Sequence, residues 1–348
     1  MAPWSYCMRF FFWVSFSINI FILLCVGTAF PEDSWERWQE RAGPIPVVNQ
    51  SPVQLLFLQH MPGRADTLPQ GHGCIRLDTA MTNTLVSGKS EHYVATIDTE
   101  MVRTSLQLSY GLLPGLELGL SIPAIHYYSG VMDGFIEDVE NLFGDSRNIR
   151  ENQDTNRFVC FVKKDDKTII SASENSIGMG DLVLKAKAKV WDEGNLLPAL
   201  SIRSALKLPT GDKDQAFGSG EIDWGLGLLL QKDISKMSFY FNANVTFPGD
   251  AFDDAGISLN EFYAYMIGLE YRFTPRFSVL AQMNHTITRP FDDADLDLLD
   301  RRIYELLLGI NYRVGEKVFI QAGGVEDILD SCDATADITF FFNVGLTF

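Results

Sequence analysis

The chain has 348 residues, 45 of them acidic and 28 basic, for a formal net charge of −17. Recognition of a nucleic-acid backbone would call for a basic patch, so that class of partner is excluded. Mean hydropathy is +0.03, too polar for a bundle of membrane helices.

One long apolar run stands at the N-terminus. Phe10 to Val26 follows Arg9 and leads into Gly27-Thr28-Ala29, small residues of the kind a signal peptidase reads. Residues 1–29 are therefore expected to be a secretory signal, removed on maturation. Leu24 is too bulky before Cys25 for a lipoprotein cleavage site. Export would leave Cys74, Cys160 and Cys332, too few for a disulfide framework and in no metal-binding spacing.

Residues 30–72 are punctuated by Pro31, Pro44, Pro46, Pro52, Pro62 and Pro69, yet carry Trp35, Trp38 and the apolar run Val53 to Leu58. Such a Pro-rich segment ahead of a barrel is expected to be a periplasmic tail or a plug in the lumen.

From Gly73 onward the dominant period is two. Strands are expected over 73–86, 93–111, 116–128, 178–191, 198–208, 220–231, 237–247, 261–273, 276–288, 302–314, 317–325 and 336–348. An even number suits a single-chain bacterial barrel. The connections alternate in length, except that the first hairpin, around Gly88 to Glu91, is short on the long-loop side. Leu112 to Gly115, Asp192 to Asn195, Lys232 to Lys236, Thr274-Pro275 and Gly315-Glu316 are tight, whereas 129–177, 209–219, 248–260, 289–301 and 326–335 are long. A soluble sandwich has no reason to alternate this way. An outer-membrane barrel does, with its turns in the periplasm and its loops outside. Residues 73–348 are thus read as an all-β, transmembrane, antiparallel up-and-down barrel of about twelve strands.

Each strand has one apolar face. In the last, Ile338, Phe340, Phe342, Val344, Leu346 and Phe348 oppose Thr339, Asn343 and Thr347. Lys185, Lys187 and Lys189 alternate with Leu184, Ala186, Ala188 and Val190. A lysine on the lipid face near the midplane costs about 2–4 kcal/mol, so three must face a polar interior. Arg103, Arg203, Lys207, Glu221, Asp223, Glu270, Arg272, Glu305 and Arg313 share the inward parity. A lumen charged with both signs suits a water-filled pore or a barrel closed by internal ion pairs.

Seven short motifs follow one another through the mature chain. They are Asn49-Gln-Ser-Pro52, Asp98-Thr-Glu100, Tyr110-Gly111, Asp133-Gly-Phe-Ile-Glu137, Gly178-Met-Gly-Asp181, Lys207-Leu-Pro-Thr-Gly211 and Gly218-Ser-Gly220. The ordered set resembles the Gram-negative outer-membrane proteins filed as domain of unknown function 3187. Its last three members are also similar to outer-membrane proteins associated with phenol-degradation clusters. The resemblance spans about residues 44–348 and implies an outer-membrane barrel. It implies no catalytic residue, because the family has no assigned activity.

Other patterns have plainer readings. Leu208 to Lys213 lacks the strand–loop–helix context and spacing of a P-loop, and Pro209 with Gly211 reads as a turn. The run Asp292 to Asp297 with Asp300 lacks the glycine and glutamate of an EF-hand loop, so an acidic solvated loop is expected, and no metal. Met132, Phe135, Ile136, Val139, Leu142 and Phe143 form the stripe of a short amphipathic helix in the longest external loop. A membrane acyl hydrolase would need a serine and an oriented histidine. His285, beside Asn284 and Thr286, has no nearby serine, and His126 near Ser121 has no clear orienter. Cys160 and Cys332 both fall in external loops and are the one pair able to bridge, since Cys74 starts the first strand at the opposite end.

The expected protein is a monomeric barrel in the cell outer membrane that passes a small solute passively through a charged lumen, with no cofactor. A structural or surface-interaction barrel with a plugged lumen, and an acyl hydrolase, are the alternatives. Expected partners are outer-membrane lipid and lipopolysaccharide, and the barrel-assembly machinery through the strand ending at Phe348.

Overall fold

Alternating apolar and polar side chains leave every strand with one face that avoids water and one that needs it. An open sheet of this kind also leaves two edges of unpaired amides, and closure into a barrel removes both. A computed structural model describes residues 41–130, 157–287, 302–327 and 338–348, with residues 291, 294, 296, 299 and 336. Its strands are β1 (Gly73–Lys89), β2 (Tyr93–Leu113), β3 (Leu116–Tyr128), β4 (Val159–Lys164), β5 (Lys167–Ser171), β6 (Ile177–Met179), β7 (Leu182–Trp191) and β8 (Ala199–Leu208). They continue with β9 (Asp223–Ile234), β10 (Met237–Phe247), β11 (Phe262–Thr274), β12 (Phe277–Ile287), β13 (Arg302–Val314), β14 (Val318–Asp327) and β15 (Ile338–Thr347).

Twelve of these close an antiparallel ring, running β1, β2, β3, then β7 through β15. The seam joins first to last, from Cys74 opposite Thr347 to Asn83 opposite Ile338. The twelve spans read from the sequence are the twelve staves of the barrel. β4 and β5 were not expected. This hairpin extends the sheet beyond the ring at the long-loop end, where Val159–Lys164 pairs with Tyr93–Asp98 of β2. Two strands this short do not display enough of a period to stand out from a loop. The amphipathic helix expected over Met132–Phe143 lies outside the described residues.

Register fixes which face meets lipid. On β15, Phe342 is 52% exposed and its neighbour Asn343 1%. Leu306, Leu308 and Ile310 of β13 and Ile267 of β11 likewise point outward, while Gln282, Glu270 and Asn311 are buried inside. Aromatic side chains stand near the strand ends. At the short-turn end Tyr271 and Phe273 meet edge-on at 4.8 Å, with Phe277 beside them. This is the headgroup level of such a barrel.

Candidate functional site

A ring of twelve staves is wider than one of eight, whose interior side chains alone just fill. The remaining space is occupied by the chain's own N-terminal segment. Its prolines bar helix and strand pairing, which leaves its backbone amides and carbonyls without regular partners. Inward-facing polar side chains of the wall supply them.

The segment enters at the short-turn end. Arg41 pairs with Asp233 at 2.8 Å, and the amides of Ala42 and Gly43 donate to the two oxygens of Glu270 at 3.2 and 3.3 Å. Gln282 takes both backbone groups of Ile45, accepting at 2.8 Å and donating at 3.1 Å. Higher up, Asn49 Nδ2 donates to Glu305 Oε1 at 3.0 Å. A 3₁₀ turn at Gln54–Leu56 reverses direction. On the way down Leu58 N donates to Asp223 at 2.7 Å, and Asn242 brackets Gly63 with bonds of 2.8 and 2.9 Å. Lys187 Nζ then donates to Asp66 O at 2.7 Å, and Leu68 N to Glu117 at 2.9 Å. Gly111 lies where this leg meets the wall, and a Cβ there would collide with the carbonyls of Leu68 and Pro69. The two legs also brace each other, through Gln59 with Asn49 and Arg64 with the Arg41 carbonyl.

At the long-loop end the tip of the segment is buried in an apolar cap. Phe57 packs edge-on against Phe252, Phe262 and Phe291 at 6.5, 6.2 and 6.1 Å. Just beneath lies a buried charge network. Lys207 Nζ is 2.9 Å from Asp181 and 3.2 Å from Asp223, and it donates to Ser219 Oγ and to the Leu56 carbonyl. Asp181 accepts in turn from the amides of Gly211 and Ser219. Gly218 is needed because a Cβ there would strike the Asp181 carboxylate. Three separate sequence motifs, Gly178 to Asp181, Lys207 to Gly211 and Gly218 to Gly220, thus converge on one ammonium group.

Beside the descending leg, against β1–β3, β7 and β8, lies a cavity of about 210 Å³. Arg76, Arg103, Lys185 and Arg203 line it from the wall, and Phe57, His60 and Met61 from the segment. Lys185 reaches over β3 to Gln107 at 2.6 Å, passing the bare backbone of Gly119.

Residues 17–348 match the family described as a protein of unknown function, DUF3187. The chain belongs to this family. Among solved structures it is similar to the COG4313 outer membrane channel from Pseudomonas putida F1, at 16% identity and a TM-score of 0.57, over 83% of this chain and 100% of that one. It also aligns with the NanC porin, at 10% identity and a TM-score of 0.43 over 78% of this chain and 98% of that one. The KdgM porin in complex with disordered oligogalacturonate follows at 8% identity and 0.41, over 79% and 98%. No curated protein matches the chain in sequence. At 16% identity the likeness to the COG4313 channel is one of fold, a closed outer-membrane β-barrel.

In this DUF3187 barrel the residues assigned to the lumen fall into three groups. Lys187, Arg203, Lys207, Asp223, Glu270 and Glu305 bind the luminal segment directly. Arg103 and Lys185 face the cavity. Lys189, Arg272 and Arg313 serve the short-turn end, bonding Asp192, the Ser235 carbonyl and the Glu316 carbonyl. Glu221 is a correction. It was expected inside by extending strand parity from residue 220, but β9 begins at Asp223, and Glu221 sits exposed in the preceding loop. Cys160 is buried, and Cys332 lies outside the described residues, as does most of the acidic run from Asp292 to Asp300. The histidines form no hydrolase arrangement. His285 stacks on Tyr304 at 4.0 Å on the outer face, while His126 and Ser121 lie on opposite faces of β3. Sequence reasoning missed Asn242, Gln282 and Gln107, neutral side chains whose only signal was inward parity.

Proposed function

We propose that the protein is a passive outer-membrane channel for a small solute, constricted by its own residues 41–68. One observation carries this reading. The segment is attached through side-chain hydrogen bonds rather than strand pairing, and it leaves open space along one side of the wall. Each such bond contributes about 0.5–1.5 kcal/mol, so the segment can shift stepwise without opening the barrel. With turns in the periplasm, the segment enters from the periplasmic side and the charged interior forms the route of passage. Nothing in the cavity requires chemistry on the solute, which fits transport rather than catalysis.

The apolar cap around Phe57 favours a second reading, a barrel sealed from outside that serves structure or surface contact. Conductance in a planar bilayer separates the two. A channel gives small or intermittent steps with the mature chain and larger, steady ones after deletion of residues 41–68. Closure of the shortened barrel is checked by its altered gel mobility on boiling. If both forms are closed barrels and neither conducts, the sealed reading holds.

A further inference from the structure

Seven cationic side chains but only two carboxylates line the 210 Å³ cavity, in a chain whose formal charge is −17. Four of the seven are neutralised by ion pairs, among them Lys187 with Glu117 at 3.0 Å and Lys207 with Asp181 at 2.9 Å. Arg103, Lys185 and Arg203 form no ion pair among the described residues. Neutral acceptors hold two of them in place. Lys185 donates to Gln107, and Arg203 to Asn244 Oδ1 at 2.6 and 3.0 Å. These bonds hold the cations with uncharged partners, and the carboxylates that act on Lys185 from nearby, Asp78 and Glu117, are already paired with Arg76 and Lys187. The Arg103 guanidinium has no hydrogen bond among the described residues. Like charges gathered in a partly dry space repel, and an unpaired buried charge is costly unless a counter-ion joins it. Phe57, Ile125 and Phe217 add an apolar lining, with Ile125 the cross-strand neighbour of Arg103.

We propose that this cavity binds a small organic carboxylate, its charged group at Lys185 and Arg203 and its apolar body along Phe57, Ile125 and Phe217. A guanidinium fork matches the two oxygens of a carboxylate, and the lysine adds a third donor. The site rests on the channel reading only in making the anion the cargo, and binding itself requires no conduction.

The test is calorimetric titration of the mature chain, in mild detergent at low salt, with butyrate, butylammonium and butanol. Butyrate is expected to saturate one site, and the other two probes are not. Arg203→Gln and Lys185→Met should each weaken butyrate at least tenfold, while the exposed loop-end variant Lys89→Gln leaves it unchanged. Either cavity variant suffices if the other fails to fold. Absence of saturable butyrate binding overturns the proposal, as does butylammonium binding equally well or butyrate binding undiminished by the variants. In bilayers the same variants should lower anion over cation selectivity. A barrel that binds butyrate yet never conducts retires the channel reading and leaves the site standing.

Discussion

The Lys207 ammonium and the Asp181 carboxylate meet at 2.9 Å with their side chains 2% and 3% exposed. Asp223 completes the group at 3.2 Å, so one cation serves two buried anions. Each carboxylate has further support, Asp181 from the Gly211 and Ser219 amides and Asp223 from the Leu58 and Gly249 amides. Removing the cation therefore harms more than removing one anion. Lys207→Met leaves two buried carboxylates facing each other and should cost about 3–5 kcal/mol. Asp181→Asn leaves Lys207 still paired with Asp223 and should cost less. Urea unfolding of the barrel in lipid vesicles measures both, and equal losses would deny Lys207 its central place.

The luminal segment makes a second set of expectations. Gln282→Ala orphans the Ile45 amide, while the Ile45 carbonyl keeps the Val47 amide, and Asn242→Ala strips both backbone groups of Gly63. An orphaned buried backbone group costs about 1–3 kcal/mol. The double variant should keep its heat-dependent gel mobility while its bilayer conductance rises and its N-terminal segment becomes easier to digest. Unchanged conductance and protection together would show that the remaining anchors and the Phe57 cap suffice to hold the segment.

Strand periodicity, loop alternation and the lysine row were all readable because each is a local pattern enforced by a nearby solvent. Lipid demands every second residue of a stave, and a polar interior demands the others. The course of residues 41–68 was not readable in the same way. Its hydrogen bonds join residues far apart in sequence, such as Ile45 with Gln282 and Leu58 with Asp223, and its own composition shows only that it cannot form a helix or strand. Glu221 failed for a related reason. Parity holds only inside a strand, and the strand starts two residues later, at Asp223. The network around Lys207 was visible as separate motifs, but nothing in the sequence announced that they meet.

The outward face gives a sharp test of the barrel's setting. Leu308 is midway along β13 and 56% exposed on the lipid side. Leu308→Lys places a charge near the membrane midplane and should cost about 2–4 kcal/mol. Gln282 is buried one strand away, on the luminal face, and Gln282→Glu, which can still accept from the Ile45 amide, should be better tolerated by the assembled barrel. Refolding yield into vesicles, scored by the boiled and unboiled gel bands, compares the two. A tolerated Leu308→Lys would mean that this surface does not meet lipid.

Cys160 lies on β4, outside the ring of staves, against Ile97 of β2 and within the apolar cap. Burial pushes its thiol up to about 12. The thiolate is the reactive form, so at neutral pH the folded protein holds almost none of it at this position. Maleimide at pH 7 should therefore modify Cys160 slowly in the folded barrel and quickly once the chain is unfolded. Raising the pH toward 9 should speed the folded reaction without reaching a plateau, whereas an exposed thiol levels off near about pH 8.5. Labelling the unfolded, unreduced mature chain also decides the bridge between Cys160 and Cys332. Three reactive cysteines dismiss it, and a single one mapped to Cys74 establishes it. Fast labelling of Cys160 in the folded protein would instead show that the β4–β5 hairpin does not pack onto the cap.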